Sequence, residues 1–150
     1  MDLDRTMTKL NGAIVWLLRS PLHALLDPGL MLIMVTGRRS GRSYTIPVGY
    51  QRDGDRVVVL VSKARRKNWW RNYLEPGPIG LRLGGEDLRG NARVLPPASE
   101  PFLAAIDGTL RRMPWLGRQF GIRYSRRSGL GTAQRELLAR EVAVVEITIG

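Results

Sequence analysis

Between Leu30 and Leu95 the chain breaks into short apolar or alternating runs, each closed by a glycine, proline or Asp-Gly turn, and this rhythm constrains the fold more than any other feature. Leu30–Val35 is continuously apolar and runs into Thr36, which reads as a buried strand. Gly37-Arg38-Arg39-Ser40-Gly41 is a tight turn, and Ser43–Gln51 a second strand of β-branched and aromatic residues. Asp53-Gly54-Asp55 predicts a hairpin, because Asp-Gly readily supplies positive φ. Arg56–Ser62 follows as a third strand. Ile79, Leu81 and Leu83 alternate with Gly80, Arg82 and Gly84, a half-buried strand. After Gly84-Gly85, Leu88–Leu95 alternates again, with Leu88, Gly90, Ala92 and Val94 on one face; Val142–Ile149 is the last strand. The total is about six mostly antiparallel, hairpin-connected strands, without the strict βα alternation of a Rossmann sheet. Short strands on tight turns predict an α+β chain built on a small closed or partly closed barrel.

Helical spacing appears in the first 26 residues, through Met7, Leu10, Ile14 and Leu17 or Leu18. Its apolar run Ala13–Leu18 is far shorter than the ~20 residues a bilayer span needs. It also lacks the basic start and small-residue cleavage site of a signal peptide. Trp16 beside Arg19 suits either a helix packed on the core or an amphipathic surface segment. Asn68–Leu74 reads as one short helix, which would place Asn68 with Asn72 and Trp69 with Tyr73 at i,i+4. Ser99–Met113 reads as a helix with Glu100 near its start and Arg111 and Arg112 near its end, as the helix dipole favours. Pro114–Gly131 reads as irregular and basic, and Thr132 as the cap of a helix through Arg140. With no repeat, linker or low-complexity tract, residues 1–150 are expected to form one domain.

Conventional catalytic constellations are missing. Cysteine is absent and His23 is the single histidine, which excludes thiolate chemistry and multi-histidine metal sites. No metal site is expected, and no catalytic residue stands out. The charge is distinctive: 24 Lys+Arg against 13 Asp+Glu, net +11. Arg38–Arg71 carries +8 and Arg111–Arg127 carries +6, while the remainder is net −3. Such segments are either solvated faces or seats for an anionic partner.

Two motifs fall in the first basic segment. Gly37-Arg38-Arg39-Ser40-Gly41 can point consecutive backbone N–H groups at an anion, and arginine binds phosphate or carboxylate bidentately. Ser62-Lys63, followed by Lys67-Asn68-Trp69-Trp70-Arg71-Asn72, supplies a hydroxyl, cations, amides and two indoles within eleven residues. The alternative for each motif is purely structural: an exposed basic turn, and indoles that anchor a helix.

In order and spacing these motifs are similar to those of the deazaflavin-dependent nitroreductase and quinone reductase family of actinobacteria. The carrying features are Gly-Arg-Arg-Ser-Gly at a strand end, Pro47 and Tyr50, the Asp-Gly hairpin, a strand ending in Ser62-Lys63, and Lys67-Asn68-Trp69-Trp70-x-Asn72, over about residues 30–95. Family members often carry Asn-Pro-x-Trp-Tyr where this chain has Lys67-Asn68-Trp69-Trp70. The resemblance implies a split β-barrel of the FMN-binding, pyridoxine-phosphate-oxidase type. It also implies use of the 8-hydroxy-5-deazaflavin coenzyme F420, a polyanion with an aromatic head.

By the same resemblance, Arg38, Arg39 and Ser40, with Gly41 in their turn, would contact the phosphate and oligoglutamate tail. Tyr44, Pro47 and Val48 would run along the ribityl chain and ring. Leu60, Val61, Ser62 and Lys63 would lie beside ring and phosphate, and Lys67, Asn68, Trp69, Trp70 and Asn72 would close the site. The reaction implied is hydride transfer from reduced F420 to a quinone, enone or nitroaromatic, with Tyr124 lining the acceptor site. A cytoplasmic monomer or homodimer is expected, with possible contact at the inner face of the membrane and no nucleic-acid partner. The competing readings are an FMN- or haem-binding split barrel, and a non-enzymatic basic module for anionic membrane or nucleic acid, whose binding would weaken steeply with salt.

Overall fold

The computed structural model describes residues 29–150. The helix expected over the first 26 residues lies outside them, as does His23. Seven strands follow: β1 (Leu30–Thr36), β2 (Ser43–Gly49), β3 (Gln51–Asp53), β4 (Arg56–Val61), β5 (Gly77–Leu83), β6 (Glu86–Val94) and β7 (Ala143–Ile149). All pair antiparallel in one sheet of order β2-β1-β5-β6-β7-β4-β3. Helices α1 (Glu100–Arg112) and α2 (Thr132–Glu141) lie between β6 and β7, with a 3₁₀ segment, Pro114–Phe120, after α1.

The topology itself forces the sheet to curl. β2 and β3 stand at opposite ends of the strand order, yet only Tyr50 separates them in sequence. One residue spans about 3.3 Å along a strand, so the two ends of the sheet must meet there. β2 accordingly touches β4 without sharing a ladder. The result is a half-open antiparallel barrel with a seam between β2 and β4. The strand read as Ser43–Gln51 is in fact two: Ser43–Gly49 pairs with β1, and Gln51–Asp53 with β4.

Period-two alternation divides the apolar residues between two cores. Val57, Val59 and Val61 of β4 and Ala143, Val145 and Ile147 of β7 point into the barrel, where they meet Ile33, Ile79, Leu81, Trp69 and Tyr73. Val58 and Val144 point outward and pack on Phe102, Ile106 and Leu110 of α1, Leu138 of α2, and Phe120 and Ile122. Glu146, on that outward face of β7, is flanked by Arg56 of β4 at 2.7 Å and Arg93 of β6 at 2.8 Å. At Gly90, β6 leaves no room for a side chain against β7. A Cβ there would stand 2.7 Å from the Thr148 carbonyl oxygen and 2.8 Å from Ile147 Cγ2.

The helix ends follow their sequence signals with one change. Ser99 caps α1, its Oγ accepting from the Phe102 N–H at 3.3 Å. At α2 the cap is Gly131 rather than Thr132: the Gly131 N–H donates to Gln134 Oε1 at 2.9 Å, and Thr132 is already helical. The expected helix at Asn68–Leu74 is a 3₁₀ turn, Trp69–Tyr73. At three residues per turn the neighbouring pairs are i,i+3. Arg71 Nη1 therefore donates to Asn68 Oδ1 at 2.6 Å, and Asn72 Nδ2 to the Trp69 carbonyl at 2.8 Å.

Candidate functional site

The β1–β2 turn closes on itself through Gly37 N–H to the Arg42 carbonyl, 2.8 Å, and Gly41 N–H to the Gly37 carbonyl, 2.9 Å. Glycine is required at the far end, and at the near end a larger residue would make the Ser40 hydroxyl rotate away. Gly41 has φ +69°, and a Cβ on Gly37 would stand 2.6 Å from Ser40 Oγ. Ser40 Oγ accepts from the Arg42 N–H at 3.2 Å. The Arg38 amide, expected to face an anion, donates instead to Asn72 Oδ1 at 2.7 Å. Asn72 spends both amide donors as well, on the Trp69 carbonyl and, at 3.3 Å, on the Tyr44 hydroxyl. It ties the basic turn to the 3₁₀ segment across 34 residues of sequence.

Beyond β4 the backbone is unusual. Lys63 is held at φ +50°, a left-handed conformation rare for a residue with a side chain. It opens the short 3₁₀ turn Ala64–Arg66, whose Ala64 carbonyl accepts the Trp70 indole N–H at 2.9 Å. Trp70 is thereby fixed, with the Arg71 guanidinium 5.1 Å above its ring. Trp69 is buried in the barrel core. Lys67 Nζ reaches Ser62 Oγ at 3.5 Å. Burial, and secondarily the positive charge of Lys63, pulls the Lys67 ammonium below its ordinary pKa. A cation destabilised by burial and a like neighbour attracts an anion.

A cavity of about 730 Å³ opens at the barrel seam, within the usual range for small-molecule sites. Pro47 and Val48 of β2 form one side; Leu60 and Val61 of β4, with Ser62, Lys67 and Trp69, form the other. These seven were singled out from sequence, and the fold brings them together. Arg38, Arg39, Ser40, Gly41 and Tyr44 belong to the turn and strand that Asn72 anchors and do not line the cavity; nor do Lys63, Asn68, Trp70 and Asn72. Sequence reasoning missed the outer wall: Met113, Leu116, Gln119 and Phe120, from the segment read as irregular. Their signal was the spacing of Met113, Leu116 and Gln119 by three around Pro114. Tyr50, Gln51 and Arg52 also line the cavity.

Tyr124, expected beside the acceptor, joins a hydrogen-bond network on α1. Its hydroxyl donates to Asp107 Oδ1 at 2.7 Å, and Arg111 Nε pairs with Asp107 Oδ2 at 2.7 Å. This network pins the segment after the 3₁₀ turn to α1, and Tyr124 does not line the seam cavity. Burial alone would raise the Asp107 carboxyl, but hydrogen bonds from Arg111 and Tyr124 and the positive charges of Arg111 and Arg135 hold it below the usual range.

The lining suits a ligand with an aromatic body and a negative end. Trp69, Val48, Leu60, Met113, Leu116 and Phe120 are apolar, Lys67 and Arg52 are cationic, and among the described residues no carboxylate lines the cavity. Residues 6–107 match the family model of F420H(2)-dependent quinone reductase. The chain belongs to that family. It is a reductase of the F420H2-dependent type, its coenzyme is F420, and the cavity's mixed basic and apolar lining fits that molecule.

Solved structures agree on the fold. An F420-H2 dependent reductase, FDR-A, superposes with TM-score 0.54 at 14% identity over 80% of this chain and 94% of its own. The heme storage protein HutZ of Vibrio cholerae gives 0.55 at 11% identity, covering 83% and 84%. A structure described as a domain-swapped dimer gives 0.58 at 16% identity over 97% of both chains. Among curated proteins no sequence matches.

Proposed function

We propose that this reductase passes a hydride to a quinone held in the seam cavity, a proton being taken up to complete the hydroquinone, with enones or nitroaromatics as alternative electron-poor acceptors. The observation that carries the reading is the cavity, where the Pro47, Val48, Leu60–Ser62, Lys67 and Trp69 wall faces an apolar wall of Met113, Leu116 and Phe120. When bound, reduced F420 supplies the hydride from C5 of its deazaflavin ring. The protein's part is binding, orientation and exclusion of water.

Lys67, with Lys63 nearby, holds the coenzyme's negative groups, and Arg38, Arg39 and Ser40 extend that basic surface along the β1–β2 turn. Trp69, Val48 and Leu60 give its ring a flat apolar bed. Met113, Leu116 and Phe120 hold the acceptor against it, in place of the Tyr124 expected from sequence. Among the described residues no helix is long and apolar enough to cross a membrane. β2 and β3 each keep one strand edge without a ladder partner among the described residues. Such edges invite pairing, and the structural relative described as a domain-swapped dimer supports a homodimer.

Turnover of menadione by chemically reduced F420, followed as coenzyme oxidation, tests this reading. Steady turnover with a wild-type coenzyme requirement is expected. In Leu116→Asp, kcat/KM for menadione falls about tenfold or more while coenzyme affinity holds. No menadione-dependent oxidation by the wild-type protein contradicts the assignment.

A further inference from the structure

The arginines of the basic segment Arg111–Arg127 do not line the seam cavity, although Met113, Leu116, Gln119 and Phe120 between them do. Pro114–Phe120 is a 3₁₀ segment, so side chains three apart share a face. One face, Met113, Leu116 and Gln119, lines the seam cavity. A second, Gly117 and Phe120, is buried, with Phe120 also reaching the cavity. The third, continuing from the last residue of α1, is Arg112, Trp115 and Arg118, and all three are exposed. Trp115 is 66% exposed, the most open large apolar side chain of the described residues. Among the described residues Arg118 has no side-chain partner and Arg112 only a 3.4 Å contact with Gln51 Oε1, and the sequence from 111 to 127 contains no acidic residue.

We propose that the Arg112-Trp115-Arg118 stripe docks the protein on an anionic lipid surface. An indole between two arginines matches the headgroup boundary, where the ring buries its apolar body and the guanidiniums meet phosphate. The stripe lies one face away from the cavity wall, so docking brings the seam cavity against the layer in which apolar quinones dissolve. The proposal rests on the acceptor being apolar, as argued above, but its test does not depend on turnover.

The full chain is sedimented with vesicles of phosphatidylcholine alone and of phosphatidylcholine with 30–40% phosphatidylglycerol, a range set to give a substantial negative surface. Binding is expected only to the anionic vesicles, weakening with salt. Arg118→Ser should lower the partition coefficient about fivefold, and Trp115→Ser about tenfold. Both variants should oxidise reduced F420 with soluble menadione in lipid-free buffer at the wild-type rate, which also shows that they fold. Wild-type protein that ignores anionic vesicles overturns the proposal. So does binding unchanged in both variants, because another surface then holds the lipid. Absent lipid-free turnover overturns the reductase reading and leaves the vesicle result to decide this one.

Discussion

Asn72 links the two halves of the candidate site, because one amide joins the Arg38 N–H, the Tyr44 hydroxyl and the Trp69 carbonyl. Asn72→Ala leaves the Arg38 amide and the Trp69 carbonyl to find water. It should cost about 1–3 kcal/mol in urea unfolding and weaken F420 binding although Asn72 does not line the cavity. The partnership across 34 residues could not be read from sequence, which marked Asn72 only by its place in a motif. Tyr73 provides a pH test at the same scale. Burial, and secondarily Tyr44, pushes its hydroxyl up to about 12. The folded chain thus keeps a proton that the unfolded chain releases near pH 10. The stabilisation is complete below pH 10 and is lost as pH rises from there to about 12. Alkaline unfolding of Tyr73→Phe, followed by circular dichroism, should be correspondingly flatter over that interval.

At the scale of elements, Glu146 bridges three strands by accepting from Arg56 of β4 and Arg93 of β6. Burial alone would raise its carboxyl, but the two arginines hold it below the usual range. A depressed carboxylate stabilises above its unfolded pKa and loses that contribution as pH falls through the folded value. Glu146→Gln should therefore cost about 1–2 kcal/mol at pH 7, and the gap from wild type should close below about pH 4 in acid denaturation. Gly90→Ala should cost more than about 2 kcal/mol, since its Cβ meets the Thr148 backbone of β7, which cannot swing aside, as well as Ile147 Cγ2. Alternation and turn chemistry made most strands legible, because they are local signals. The split of the second strand at Tyr50 was not, since its cause is the meeting of β2 and β4 at the seam. At Trp69–Tyr73 five residues are too few for spacing to separate a 3₁₀ turn from an α-helix.

For the whole molecule, curling of the sheet joins elements that sequence leaves apart. The β2–β4 wall of the cavity is visible in sequence through its motifs, and the family assignment agrees with the resemblance they carry. The opposite wall, Met113 to Phe120, carries no such motif and becomes a wall only when the 3₁₀ segment is laid over the seam. Coenzyme that binds the folded chain alone should stabilise it by about 2.7 kcal/mol at a hundred times Kd, visible as a concentration-dependent rise in Tm. The central claim is that the seam cavity holds F420, with Lys67 on its negative groups. Titration of wild type and Lys67→Met with reduced and oxidised F420, read by tryptophan fluorescence, tests it most directly. A saturable quench at micromolar coenzyme, weakened about tenfold or more in Lys67→Met, is the predicted result. No saturable change in the wild type, or equal affinity in the variant, contradicts it.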